Sequence, residues 1–228
     1  MRSRKVSKHT TYYELLDAIS NASHCPLCEV EANSIKCYFD SLLHEGVNDN
    51  GVREALIRSQ GYCQRHAHYL RNHGKGFEIA ILYQDQVKLF LRRLDELQAI
   101  PSMMIRKGKR AWRQPDGECP ACRMQYECRN RFGSTLIEWL DDQEMRRALE
   151  KSHGLCVPHF FALLDLAADA NSRNLLIELQ RAKTNLLLHE LEEFCRKHDY
   201  RFSHEKFGKE SDSWSRAIIM MVGKDGVF

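Results

Sequence analysis

Cys25-Pro26-Leu27-Cys28 is followed downstream by Gly61-Tyr62-Cys63-Gln64-Arg65-His66, and the phrase recurs as Cys119-Pro120-Ala121-Cys122 with Gly154-Leu155-Cys156-Val157-Pro158-His159. Each copy offers three sulfurs and one imidazole, the donor set of a closed tetrahedral zinc site. Cys28 to Cys63 spans 35 positions and Cys122 to Cys156 spans 34, so the copies nearly superimpose. A single Cys-x-x-Cys is a weak signal. A four-donor phrase written twice at one spacing points both to metal and to a duplication.

The duplication extends beyond the donors. Arg53-Glu54-Ala55-Leu56-Ile57-Arg58-Ser59-Gln60-Gly61 aligns with Arg146-Arg147-Ala148-Leu149-Glu150-Lys151-Ser152-His153-Gly154. Arg, Ala, Leu, Ser and Gly occupy identical slots, and nothing in metal chemistry asks for Ala-Leu or Ser-x-Gly. The pattern reads as a helix that ends at a glycine C-cap, where the left-handed conformation suits a residue without Cβ. The chain is therefore a tandem repeat of one structural unit.

Apolar spacing is helical almost throughout, and alternating strand patterns are nearly absent. The expected class is all-α: two tandem helical repeats, each stapled by a Cys3His metal site, with a docking tail at the C-terminus. Residues 1–23 form an N-terminal segment with a short helix on Tyr12, Leu15, Leu16 and Ile19. Residues 24–99 are the first repeat, 100–118 a basic linker marked by Pro101, Gly108, Pro115 and Gly117, 119–198 the second repeat, and 199–228 the tail. Pro26 suits the first turn of a helix, where its missing N–H costs nothing. That helix breaks at 48–51 and is followed by a short helix at 52–59, another from 63, and a long one through Phe77, Val87, Phe90 and Leu94. In the second repeat the spacing predicts helices near 120–131, 135–150, 156–169 and 172–197. A last helix at 214–222 is expected to dock through Trp214, Ile218 and Met221.

Composition bounds the class without naming a role. The 228 residues carry a net charge of +3, with 43% hydrophobic and 29% charged residues, and mean hydropathy is −0.52. These values fit a water-soluble globular protein. No apolar run approaches the ~18 residues of a membrane span, and 10–23 has no uninterrupted apolar segment of a secretory signal. Nine cysteines in that setting argue for metal or reduced thiols over disulfides, which leads to an expected cytoplasmic location.

The expected ligands are Cys25, Cys28, Cys63 and His66 for one ion and Cys119, Cys122, Cys156 and His159 for the other. Quartets mixed between repeats are an alternative, but matched spacing makes one site per repeat simpler: folding the 52–59 helix back would bring the half-sites together. Cys-Pro-x-Cys in a first helical turn favours thiolate, and Cys-x-x-His puts sulfur and imidazole on one helix face. Two zinc ions are the first expectation; Cys3His also suits iron–sulfur clusters. A thioredoxin-type use of Cys-Pro-x-Cys would need a βαβ context that is missing. Cys37, Cys128 and Cys195 fall at unmatched offsets and read as buried structural thiols. His153, just before Gly154, is a candidate for supporting a ligand from behind.

No nucleophile elbow, phosphate loop, dinucleotide fingerprint or carboxylate pair appears. The basic stretch 106–113, with Trp112 inside it, could grip nucleic-acid phosphates, although a solvated linker explains it as well.

Taken together, these elements resemble an uncharacterised prokaryotic family, a domain of unknown function. Its pattern joins two Cys-Pro-x-Cys…Gly-aromatic-Cys-x-x-His units, a Leu-Leu-x-Glu-x-Val-Asn-Asp segment (here 42–49), and an end reading Tyr-Arg-Phe…Ser-Trp-x-Arg-Ala (200–202 and 213–217). Leu155 departs from the aromatic that Tyr62 supplies. The resemblance carries no activity with it. The expected role is a non-enzymatic adaptor or regulatory module with structural metals and a protein partner. The alternatives are an iron–sulfur redox protein and, third, a nucleic-acid binder.

Overall fold

The computed structural model describes residues 8–99, 117–202 and 204–228. Among them are ten α-helices and no strand: α1 Thr10–Asn21, α2 Pro26–Ser41, α3 Asn50–Arg58, α4 Gln64–Arg71, α5 Gly76–Ala99, α6 Pro120–Glu138, α7 Gln143–Lys151, α8 Val157–Leu166, α9 Ala170–Lys197 and α10 Ser213–Val222. The class is all-α, as the apolar spacing predicts. No helix is long and apolar enough to cross a membrane among these residues. The basic stretch 106–113 lies outside the described residues.

Asp49 and Asp142 start the corresponding helices α3 and α7. The Asp49 carboxylate accepts from Val52 N–H and that of Asp142 from Glu144 and Met145 N–H, satisfying first-turn donors that have no partner within the helix. Ahead of Asp49, Leu42–Gly46 winds as a π turn, which holds one residue more than an α turn. This turn absorbs the extra residue of the first repeat. Leu42 and Leu136 stand equally far from Cys28 and Cys122, and Asp49 and Asp142 equally far from Cys63 and Cys156. The wider turn also lets the consecutive Leu42 and Leu43 both be buried.

Two sequence expectations are corrected here. The break near 131–135 does not occur, because Gly133 lies inside α6 as a packing position. A Cβ there would come within 2.8 Å of Leu166 and 3.1 Å of Leu163, so glycine lets α8 approach. Gly61 and Gly154 do take positive φ, +90° and +80°, but two residues beyond the C-caps Ser59 and Ser152.

The chain divides into two compact units, Met1–Ala32 with Cys128–Phe228, and Asn33–Glu127. Both divisions fall inside helices, α2 and α6. In the discontinuous unit Tyr12, Leu15 and Ile19 of α1 pack with Leu136, Met145, Leu163 and others. In the continuous unit Ile35, Phe39, Leu56, Leu70 and Leu82 form the centre. Each such side chain contributes about 1.5–3 kcal/mol by leaving water.

The last helix forms where expected but turns its other side inward. Trp214, Ile218 and Met221 are 54%, 58% and 61% exposed, so they are not the docking residues. The Arg216 guanidinium meets Glu190 of α9 at 2.6 Å and Ser213 is fully buried, which fixes the rotation of α10 against α9.

Candidate metal centres

Every expected ligand sits at a helix entrance. Cys63 and Cys156 are the N-caps of α4 and α8, and Cys25 and Cys119 directly precede α2 and α6. Cys28, His66, Cys122 and His159 each come three residues later, in the first turn. The eight residues gather into two quartets, each with all donor atoms within 4.8 Å of one another.

The pairing crosses the repeats. Cys25 and Cys28 join Cys156 and His159, while Cys63 and His66 join Cys119 and Cys122. The expectation of one site per repeat is thus corrected: each quartet takes its Cys-x-x-Cys from one repeat and its Cys-x-x-His from the other. The reason is that α2 and α6 each pass from one unit into the other, so the two half-sites of a repeat belong to different units. Each quartet lies wholly within one compact unit.

In the α2–α8 site, Nδ1 of His159 is 3.1 Å from Cys156 Sγ and 3.4 Å from the sulfurs of Cys25 and Cys28, and Cys28 and Cys156 sulfurs are 3.6 Å apart. In the α4–α6 site, Nδ1 of His66 is 3.3, 3.4 and 3.7 Å from Cys63, Cys122 and Cys119, and Cys63 and Cys122 sulfurs are 3.6 Å apart. A tetrahedron with ion–sulfur arms of about 2.3 Å has edges of about 3.8 Å, slightly less towards nitrogen. Both quartets match those edges, so these residues fit a single four-coordinate ion. Two helix N-termini converge on each, and their partial positive charge suits thiolates.

The groups behind the ligands differ. Nε2 of His159 donates to Glu31 Oε1 at 2.6 Å, and both carboxylate oxygens of Glu31 accept from Arg129, at 2.7 and 2.9 Å. Burial opposes charge on Glu31, but His159 and Arg129 outweigh it and hold the carboxyl below its usual range. Burial likewise opposes a charged His159, but the three sulfurs and Glu31 raise its pKa. Gln125 occupies the same slot after Cys122 as Glu31 after Cys28. It is buried and accepts from Arg65 at 2.8 Å. His66 is buried beside it, and burial with the nearby Arg65 lowers that histidine to about 4, against the smaller opposing effect of the Gln125 amide. Burial, then the neighbouring charge of Cys119, pushes the Cys122 thiol up to about 12.

Their coverings differ too. All four α2–α8 ligands are buried, whereas the three cysteines of the other quartet are partly exposed. The C-terminus covers the first. Lys224 N–H donates to Cys28 Sγ at 3.4 Å, and the Phe228 ring lies 4.8 Å from that of His159 and 4.6 Å from the Arg129 guanidinium. Gly223, at φ +86°, makes room: a Cβ there would meet the Phe228 ring at 2.5 Å. The α4–α6 quartet has a tyrosine wall instead, with the hydroxyls of Tyr38 and Tyr62 3.0 Å apart.

A family model described as "Family of unknown function (DUF6062)" matches residues 8–226. The chain belongs to this family. The resemblance noted from the doubled motif is thereby borne out. An "Uncharacterized 23.9 kDa protein in xynA 3'region" of Caldicellulosiruptor sp. (strain Rt8B.4) is 24% identical over 201 residues, covering 87% of this chain and 95% of that protein. No solved structure matches.

For this DUF6062 chain, the supporting residues Glu31 and Gln125 were open to sequence reasoning through their shared slot, three after the second cysteine of each Cys-Pro-x-Cys. His153 is not one of them: it is exposed and makes no contact with a ligand histidine. Of the three remaining cysteines, Cys128 is buried as expected, but Cys37 and Cys195 are exposed, because each lies on the outer face of its helix.

Proposed function

We propose that this protein binds two zinc ions, one in each crossed Cys3His quartet, and serves as a non-enzymatic adaptor or regulatory module in the reducing cytoplasm. The observation that carries the metal choice is the compactness of the donor sets. Donor contacts of 3.1–3.7 Å across the two quartets, with every donor within 4.8 Å of the others in its set, suit four ligands on one ion. An iron–sulfur cluster distributes its terminal ligands over several irons and spreads them farther apart. Four protein donors complete a structural zinc site and leave no position for substrate, which favours a scaffold over a catalyst. The carboxylate behind His159 is the kind of group that orients a metal-bound imidazole.

Metal analysis and a visible spectrum of protein purified without oxygen test this. The expected result is two zinc ions per chain and no absorption near 400 nm; a brown, iron-containing product would overturn it.

A further inference from the structure

Beside the α2–α8 quartet, whose Cys25 and Cys156 form part of its wall, the discontinuous unit holds a cleft of about 340 Å³ between the α7–α8 loop, α9 and α10. Its volume lies in the range of small-molecule sites. Leu155, Leu186, Leu187, Ile219 and Met220 give it an apolar lining, and Lys151, Lys183 and Lys209 stand around it. The charges are unbalanced. Arg216 is committed to Glu190 at 2.6 Å and Asp212 at 2.8 Å, and the Glu150 carboxylate turns to Arg146. None of the three lysines has a carboxylate at ion-pair distance among the described residues.

Lys183 is the most telling. Its ammonium donates to the Glu150 carbonyl oxygen at 2.5 Å, and partial burial holds its pKa below the usual lysine range. The backbone is shaped around it: Gly154 has φ +80°, and a Cβ there would lie 2.9 Å from Lys183 Cγ. Glycine therefore lets the lysine stem lie along the loop and hold its ammonium at the cleft. A partly desolvated cation facing a carbonyl, above leucines, is short of an anion.

We infer that this cleft binds a small amphipathic organic anion, its acidic head on Lys183 with Lys151 and Lys209 nearby and its hydrocarbon body on Leu155 and Leu187. Because Cys25 and Cys156 belong to the cleft wall, the inference rests on the α2–α8 quartet holding a cation that offsets its thiolates.

Isothermal titration of the full-length, metal-loaded protein tests it with three probes: octanoate, neutral octanol and inorganic phosphate. Octanoate is expected to bind one to one, with octanol and phosphate each at least about tenfold weaker, since one lacks the charge and the other the apolar body. Lys183→Gln should weaken octanoate about tenfold with metal content and helicity unchanged. Arg181→Gln, an exposed change on α9 outside the cleft, should leave binding as it was. Lack of saturable octanoate binding, octanol binding as tightly as octanoate, or an unaffected Lys183→Gln would each overturn the proposal. Phosphate binding as tightly as octanoate would do so too, by showing a site that reads charge alone.

Discussion

The two quartets share donors, spacing and helix-entrance geometry, yet they stand in different surroundings. The α2–α8 site is buried, backed by the Glu31–Arg129 pair and covered by the C-terminal residues. The α4–α6 site is partly open, backed by a neutral amide and walled by tyrosines. The donors that could hold an ion are thus alike in the two, and the groups that would tune it differ. A carboxylate behind a ligand histidine raises its basicity and fixes its orientation; an amide does this more weakly. The α2–α8 site should therefore be the tighter and slower to exchange.

The largest effect should come from breaking quartets in pairs. If pairing crosses the repeats, Cys25→Ser with Cys156→Ser damages one site and leaves one ion per chain. Cys25→Ser with Cys63→Ser damages both and leaves none. Metal counting on the two double variants decides between crossed and within-repeat pairing, since the latter reverses the two results.

Next in size is the exchange of the backing groups. Glu31→Gln should weaken the α2–α8 site about 10–100-fold in chelator competition. It should also cost about 3 kcal/mol of stability by leaving Arg129 without its buried partner. The reciprocal Gln125→Glu should tighten the other site by about tenfold. Unchanged affinities in both would mean that burial alone separates the sites.

In the unaltered protein, a chelator with a thiol reagent should release the ions in two phases, the α4–α6 ion first, because its thiolates are accessible. The phase lost in His66→Ala identifies it. Smallest of all, Phe228→Ala should speed release from the α2–α8 site a few-fold without altering the other phase.

Much of this was legible in the sequence, and the reason is local. Ligand identity and helix entrances depend on spacings of three or four residues, which the one-dimensional pattern records. The exchange of partners depends on α2 and α6 carrying the chain from one unit into the other, a tertiary feature. Gly133 shows the same limit: in sequence it looks like a break, and only Leu163 and Leu166 of α8 make it a contact. The rotation of α10 was hidden because Trp214, Ile218 and Met221 make an apolar stripe whichever way the helix faces. Glu31 and Gln125 are a different case, since the repeat alignment contained them and a difference in charge masked their common role.

The crossed pairing also sets an order of events during synthesis. All four α4–α6 donors have left the ribosome once Cys122 emerges, and they belong to a unit continuous in sequence. Cys25 and Cys28 come first of all, yet their partners Cys156 and His159 lie more than a hundred residues downstream. The inner unit can close while the outer one still waits, its early thiols unpaired and open to oxidation or to foreign metals. Closing the outer loop carries the larger chain-entropy cost, and such distant contacts are the slow ones in folding. The nascent chain is therefore most vulnerable at its first Cys-Pro-x-Cys, the one that ends up best protected.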